Sequence, residues 1–259
     1  MGHPFEPNPR APGSCGVCGK KEGLHDDAPL VKAAVCDTLI VPDIHEDFPT
    51  LESKIVPLMV QARKVIFLGD WFDTFSKMKY QLDMCRFIKS VAHNEDMTVL
   101  LGNHDCHYFF SHQWFQCTGW HAHTKMIVST QLEESDIRAF KIFTQVGKFV
   151  ISHAGFHPAT LQHFHPTVEK EALESARDGE FHKIFGVGKV RGGWEPAGGP
   201  TWLDWNQEFV ALGTPQIVGH TRGEKVRTKE CEGVTSYCLD TGLKHVMWTD
   251  GEAVEVVTL

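Results

Sequence analysis

The chain has 259 residues with 33 acidic and 25 basic side chains, which gives a formal net charge of −8 when histidine is neutral. This length allows a sizeable buried core, and a hydrophobic share of 42% excludes a disordered or fibrous chain. The acidic balance argues against a strong nucleic-acid-binding surface, since proteins that bind nucleic acid without sequence preference usually present basic side chains to its phosphates.

The opening of the sequence is polar and rich in proline. The segment MGHPFEPNPRAPGSCGVCGKK lacks the apolar centre of a signal peptide, and no apolar run approaches the ~18 residues of a membrane span. We therefore expect a cytoplasmic protein with no membrane contact. In that compartment the eight cysteines are expected to be thiols or metal ligands rather than disulfides.

Residues 1–32 are predicted to form a loop-rich extension, because proline and glycine are frequent there and periodic apolar residues are rare. The motif Cys15-Gly16-Val17-Cys18 is typical of half a structural zinc site. His3 and His25 are near enough in sequence to complete a Cys₂His₂ set. Unliganded thiols are the main alternative. A redox motif is less favoured, because a redox C-x-x-C normally follows a strand and opens a helix.

Residues 33–259 are predicted to form one domain. Five apolar runs indicate strands that are covered on both faces, at 38–41, 64–69, 97–102, 149–152 and 215–219. Helices are predicted over 50–63, with a bend at Pro57, and over 77–93, 133–146 and 168–178. Short strands separated by Gly233, Gly242 and Gly251 then predict antiparallel hairpins that close a second sheet. The pattern predicts a four-layer α/β-β/α sandwich, in which two mixed β-sheets are flanked by helices.

Polar residues follow each of the five apolar runs directly. Ligands of α/β proteins bind beyond the carboxyl ends of the strands, so these loops are expected to converge. Any one of the clusters alone is most often a cap or a loop residue, whereas five in order favour a site. Together they offer oxygen and nitrogen ligands without sulfur, which suits two divalent ions such as manganese, iron or zinc. The clusters are Asp43-Ile44-His45, Gly69-Asp70-Trp71-Phe72-Asp73, Gly102-Asn103-His104-Asp105, His153-Ala154-Gly155 and Gly219-His220-Thr221.

These blocks read D-x-H, G-D-x-x-D, G-N-H-D, H and G-H, and they resemble those of the calcineurin-like metallophosphoesterase superfamily over about residues 33–259. The resemblance implies two metal ions bridged by one carboxylate. It assigns Asp43 and His45 to the first ion, Asp70 to the bridge, and Asn103, His153 and His220 to the second ion. It also implies that His104 protonates the leaving group without binding metal, and that Asp73 orients His104.

The last block departs from much of the superfamily. Many members read G-H-x-H, whereas this chain has Arg222 where the second histidine would stand. That departure, and LDTG at 239–242, are similar to phosphoprotein phosphatases and their bacterial and phage relatives. That branch usually carries an arginine where this chain has Thr74. Arg191 and Arg222 are therefore candidate phosphate-binding residues alongside Asn103, and a surface ion pair is the alternative for each arginine.

The resemblance implies an enzyme that hydrolyses a phosphate ester with water activated by two metal ions. We expect phosphate monoesters as substrates, and the phosphate could belong to a nucleotide, a protein or a nucleic-acid end. A phosphodiesterase or nuclease is the main alternative. An inactive scaffold is disfavoured, because such proteins generally lose ligands and here all six are present.

Overall fold

The computed structural model describes residues 37–74 and 79–259. The residues proposed for structural zinc (His3, Cys15, Cys18 and His25) and the predicted extension 1–32 lie outside this part. The strands within it are β1 Thr38–Val41, β2 Lys64–Phe67, β3 Met97–Val99, β4 Phe143–Val146, β5 Phe149–Ser152, β6 Gln216–Val218, β7 Arg227–Cys231, β8 Val234–Cys238, β9 His245–Thr249 and β10 Val254–Thr258. They form two five-stranded mixed sheets, in the orders β10-β9-β1-β2-β3 and β4-β5-β6-β8-β7.

The α-helices of the described residues are α1 Phe48–Thr50, α2 Val56–Met59, α3 Gln81–Val91, α4 Asn103–Phe109, α5 Ala122–Gln131, α6 Glu134–Arg138 and α7 Pro166–Arg177, and short 3-10 helices cover Gln113–Phe115, Leu161–His163, Lys183–Phe185 and Lys189–Arg191. A π-helical segment, Leu51–Ile55, joins α1 to α2. It lies just before Pro57, which has no N–H to donate, and the wider turn is the irregularity expected near that residue.

Alternate side chains of the central strands enter two different cores. Leu39 and Val41 of β1 belong to the cluster that contains the helical residues Met84 and Ile88. Ile40 between them belongs to a second cluster, which includes residues of both sheets. Since successive side chains of a strand point to opposite faces, β1 is covered by helices on one side and by the other sheet on the other. This confirms the predicted four-layer sandwich.

Two local predictions were wrong. The helix predicted over 133–146 ends at Arg138, and β4 follows as an antiparallel partner of β5. The four C-terminal strands form two antiparallel hairpins, as predicted, but they do not close one sheet. The β7–β8 hairpin belongs to the second sheet, whereas β9 pairs antiparallel with β1 in the first.

The α4 and α5 helices were not predicted. They follow β3 in a stretch where glycine, histidine and aromatic residues hide the helical period. No helix among residues 37–74 and 79–259 combines the length and the apolar character needed to cross a membrane.

Two hairpin turns from different sheets touch at Gly147 and Gly251. Gly147 lies between β4 and β5 and has a φ of 53°, and the N–H of Lys148 donates to the Gly251 carbonyl at 3.0 Å. A Cβ atom on Gly147 would overlap the Gly251 backbone. The contact therefore requires a glycine at position 147, for its backbone conformation and for its size.

We expect Gly147→Ala to lower the free energy of unfolding by about 3 kcal/mol, because it adds a backbone clash to the cost of a left-handed alanine. Gly233→Ala is the matched control. Gly233 also lies in a hairpin turn with positive φ, but its Cβ would meet open space, so about 1 kcal/mol is expected. Urea denaturation of both variants measures the difference. An equal loss of unfolding free energy in the two variants would show that the contact between the turns contributes nothing to stability.

Candidate active site

The loops that follow five strands meet at the carboxyl ends of the sheets. β1, β2 and β3 are parallel, as are β5 and β6, so within each sheet their outgoing loops lie at the same edge. The residues that these loops bring together are the ones predicted from the sequence: Asp43, His45, Asp70, Asp73, Asn103, His104, His153 and His220.

One group of possible metal ligands consists of Asp43, His45 and Asp70. Their ligand atoms all lie within 4.8 Å of one another, and His45 Nε2 is 3.6 Å from Asp70 Oδ2. Burial raises the pKa of Asp43 well above its usual value, and the nearby carboxylate of Asp240 adds to the effect. A cation beside Asp43 would favour its charged form.

A second group consists of Asp70, His153 and His220. His153 Nε2 is 3.4 Å from Asp70 Oδ2, 3.3 Å from Asn103 Oδ1 and 3.1 Å from His220 Nδ1. The backbone N–H of His220 donates to both oxygens of Asp43, at 2.9 and 3.1 Å. The two groups are therefore adjacent, and Asp70 belongs to both.

The donor atoms of these groups fit a pair of divalent cations. Carboxylate, amide and imidazole ligands without sulfur suit manganese, iron or zinc, and a carboxylate common to two ligand groups can bridge two ions. His220 Nδ1 and His153 Nε2 lie 3.1 Å apart in the second group. Two imidazole nitrogens that face each other at this distance can both offer a lone pair to one cation.

Four of the site residues have a left-handed backbone. The φ angles are 47° at His45, 51° at Asp70, 65° at Asp73 and 64° at His220. Residues other than glycine seldom adopt this conformation, which costs roughly 1–3 kcal/mol each and is found most often at functional sites. The sharp turns keep these side chains close to the strand ends they follow.

Asp105 has a role that was not predicted from the sequence. Its carboxylate accepts the backbone N–H groups of Asp70 at 2.8 Å, Trp71 at 2.8 Å and Gly102 at 2.9 Å. Burial raises the pKa of Asp105 to about 7, assisted by the charge of Asp70 and opposed by these hydrogen bonds. The signal was available, because an acid three residues after a helix start often accepts the N–H at that start.

His104 and Asp73 form a hydrogen-bonded pair, with His104 Nδ1 at 2.7 Å from Asp73 Oδ2. Burial opposes the charged form of Asp73, but hydrogen bonds from His104 and the Tyr108 hydroxyl, together with the adjacent His107 ring, outweigh it and lower the pKa of Asp73 to about 2. Burial likewise opposes protonation of His104, yet the charges of Asp70 and Asp73 raise its pKa well above the usual value. The pair therefore favours a protonated His104 beside an ionised carboxylate.

The two predicted arginines line a cleft of about 900 Å³ together with the groups described above. Arg191 Nη2 lies 2.9 Å from Asp204 Oδ2 and 3.1 Å from Thr221 Oγ1. The Arg191 ion pair therefore holds the guanidinium at the cleft wall. Arg222 lines the same cleft beside Asp240. Asp240, a buried acid of the LDTG segment, was not predicted as a site residue.

Aromatic side chains form much of the outer wall of the cleft. Trp114, Phe181 and Trp194 all line it, and all are exposed, Trp194 to 87%. Exposed apolar side chains that cluster along one cleft, as these do, often mark a binding site. No motif in the sequence marks these residues, because each comes from a different segment outside the main helices and strands.

A family model described as calcineurin-like phosphoesterase matches residues 37–246. The chain belongs to this family. It is therefore a metallophosphoesterase, a hydrolase of phosphoric esters, from a family that uses divalent metal ions and acts on phosphorylated substrates. No curated protein sequence matches the chain.

Solved structures with the same fold include phosphatases. The cold-active protein-tyrosine phosphatase of a psychrophilic Shewanella species is 14% identical, with a TM-score of 0.56 over 86% of this chain and 81% of that chain. A protein serine/threonine phosphatase of Saccharomyces cerevisiae is 11% identical, with a TM-score of 0.45 over 88% and 82%. At 14% identity, the similarity to the Shewanella enzyme establishes the fold alone. The assignment to the phosphoprotein-phosphatase and phage-type branch stays a prediction.

We expect Asp105→Asn to lower the free energy of unfolding by about 2–3 kcal/mol, because the amide NH₂ cannot accept a backbone N–H and would leave a buried donor unpaired. Metal content measured by elemental analysis should fall as well, since the Asp70 backbone loses its anchor. Asp136→Asn is the matched control, because Asp136 accepts the Glu133 N–H at the start of α6, away from the site. That variant should lose stability and keep its metal. Full metal content in Asp105→Asn would contradict the proposed anchoring.

Proposed function

We propose that the enzyme hydrolyses phosphate monoesters at the centre formed by the converging loops. The observation that carries this proposal is the position of Asp70, which belongs to both ligand groups and also accepts the backbone N–H of His104 at 3.0 Å. The proposed first ion is held by Asp43, His45 and Asp70. The proposed second ion is held by Asp70, Asn103, His153 and His220.

The bound ions would be manganese, iron or zinc, and they would neutralise phosphoryl oxygens and lower the pKa of a water molecule near them. Asn103 is placed to serve both as a ligand and as a contact to the phosphoryl group, because it opens α4 at the cleft wall. Its Oδ1 faces His153, and its amide nitrogen donates to Cys117 Sγ at 3.6 Å, a contact that a phosphoryl oxygen would have to replace or share. These roles are the ones the sequence predicted.

The chain's own contribution to leaving-group departure is the proton of His104. The ring is held through Nδ1 by Asp73, and the backbone N–H of the same residue is held by Asp70. The Asp73 carboxylate, which binds no ion in this proposal, favours the imidazolium, which is the form needed to protonate a departing alkoxide. Asp73 in turn is fixed by Tyr108, so the acid and its orienting group form one connected network.

A monoester dianion brings more negative charge than a diester monoanion, and the cleft offers two guanidinium groups to it. Arg222 stands where a second histidine would be found in the G-H-x-H pattern. Guanidinium has no lone pair for a cation but carries planar donors that match phosphate oxygens. Arg191, held by Asp204 at the edge of the same cleft, supplies a second positive charge. These features favour monoesters over diesters.

We expect His104→Ala to reduce kcat by roughly 10²–10⁴, the usual contribution of general acid catalysis, with two metal ions still bound. The loss should be smaller for p-nitrophenyl phosphate than for an alkyl phosphate, since a good leaving group needs less protonation. His123→Ala, an exposed histidine of α5, should leave both rates unchanged. If His104→Ala lowers kcat by the same factor for both substrates, a general-acid role is excluded.

We expect the wild-type enzyme to have a higher kcat/KM for p-nitrophenyl phosphate than for bis-p-nitrophenyl phosphate. In Arg222→Ala this preference should fall by about tenfold, because a charge-assisted hydrogen bond to the dianion is lost. Arg86→Ala is the control, since Arg86 pairs with Asp83 on α3, outside the cleft. A wild-type preference for the diester that Arg222→Ala does not change would favour the phosphodiesterase or nuclease alternative.

A further inference from the structure

Three side chains beside the proposed metal centre form a separate cluster that contains sulfur. Ligand atoms of His104, His107 and Cys117 all lie within 4.8 Å of one another. Cys117 Sγ is 3.2 Å from His107 Nδ1 and 4.0 Å from His104 Nδ1. Neither His107 nor Cys117 belongs to the proposed dinuclear site, and neither is used in the proposed reaction.

These separations are close to those of a zinc site. Zinc binds imidazole nitrogen at about 2.0–2.1 Å and thiolate sulfur at about 2.3 Å in tetrahedral geometry, which places nitrogen and sulfur ligands about 3.5 Å apart. The two distances from Cys117 Sγ bracket that value. Small side-chain rotations would therefore bring all three ligand atoms onto one ion.

The surroundings of His107 match those of a metal-binding histidine. Its ring is fully buried, with Nδ1 toward the thiol and Nε2 at 2.7 Å from Asp73 Oδ2. That carboxylate is close enough for an ion pair, although the N–H is not aligned for a hydrogen bond. Metal-bound histidines usually present their second ring nitrogen to a carboxylate, which fixes the ring for binding.

An ion could reach the cluster from solvent, because His104 and Cys117 both line the open cleft. The thiolate would make the cluster selective. Sulfur ligands favour zinc and similar soft ions, whereas manganese and magnesium prefer oxygen. Binding would release the thiol proton to solvent, without any redox step.

We propose that His104, His107 and Cys117 form a third cation site that takes zinc, and that zinc bound there inhibits the enzyme. His104 Nδ1 contacts Asp73 in the structure, and the same nitrogen would have to bind the ion. Occupation of the site therefore separates the proposed general acid from its orienting carboxylate. The inhibition rests on the proposed function, whereas zinc binding itself does not.

The experiment uses the full chain loaded with manganese, in a Cys15→Ser/Cys18→Ser background that removes the N-terminal sulfur pair. Added Co²⁺ should give a thiolate-to-cobalt charge-transfer absorption, because the dinuclear site has no sulfur ligand, and Zn²⁺ should abolish that absorption. Cys117→Ser and Cys117→Ala should lose it. The matched control is Cys231→Ser, which removes a half-buried thiol of β7 and should keep it. An absorption that survives both Cys117 variants, or is absent from the parent, overturns the site.

Activity on p-nitrophenyl phosphate provides the second measurement, with each variant normalised to its own rate before zinc is added. The zinc concentration for half inhibition should rise at least about tenfold in Cys117→Ser and stay unchanged in Cys231→Ser. Equal zinc inhibition of parent and Cys117→Ser would show that zinc acts by replacing manganese, and would overturn the inhibitory role. A parent that binds cobalt through sulfur but hydrolyses no phosphate ester would refute the proposed function and leave the third site standing.

Discussion

The buried carboxylate of Asp105 holds together the two loops on which the rest of the site depends. It accepts the backbone N–H of Asp70, in the loop after β2, and the backbone N–H of Gly102, just before α4. These hydrogen bonds connect the loop after β2 to the start of α4. The negative charges of Asp70 and Asp105 would repel each other if neither had a partner, but each charge is stabilised by a different kind of group. Backbone amides surround Asp105, whereas histidines surround Asp70, which leaves Asp70 suited to a cation.

The strand ends also determine which nitrogen each histidine offers. His153 Nδ1 lies 2.9 Å from the Leu68 carbonyl, and His45 Nδ1 lies 2.9 Å from the Asp73 carbonyl. Since a carbonyl oxygen only accepts, each Nδ1 carries the proton, and Nε2 remains as the lone-pair donor on the side of Asp70. The backbone after β2 therefore sets the tautomer of one histidine from each sheet. The fold and the chemistry are linked through the same few peptide groups.

The sequence predicted the structure best where a buried strand is followed directly by polar residues. The ends of β1, β2, β3, β5 and β6 were found because these strands are apolar on both faces and polar residues follow at once. β4 was assigned to a helix because it is an edge strand with only one fully buried residue, Phe143, so its period is ambiguous. The Gly102 contact of Asp105 has a local signal in the sequence, but its contacts with Asp70 and Trp71 join residues that are distant in sequence. The roles of Asp240 and of the His107–Cys117 contact likewise depend on distant residues or on loop geometry, which periodicity does not reveal.

The pairing of β9 with β1 has a consequence for the order in which the chain becomes folded. The central strand of the first sheet, β1, begins at residue 38, and its neighbours in the sheet are β2 and β9. β9 comprises residues 245–249 and is therefore made about 200 residues after β1. During synthesis β2 can pair with β1 early, but the other edge of β1 stays open until β9 leaves the ribosome. An open edge is a template for association with other chains. That edge of β1 is therefore unpaired throughout the synthesis of residues 68–244, the stretch that contains most of the site residues.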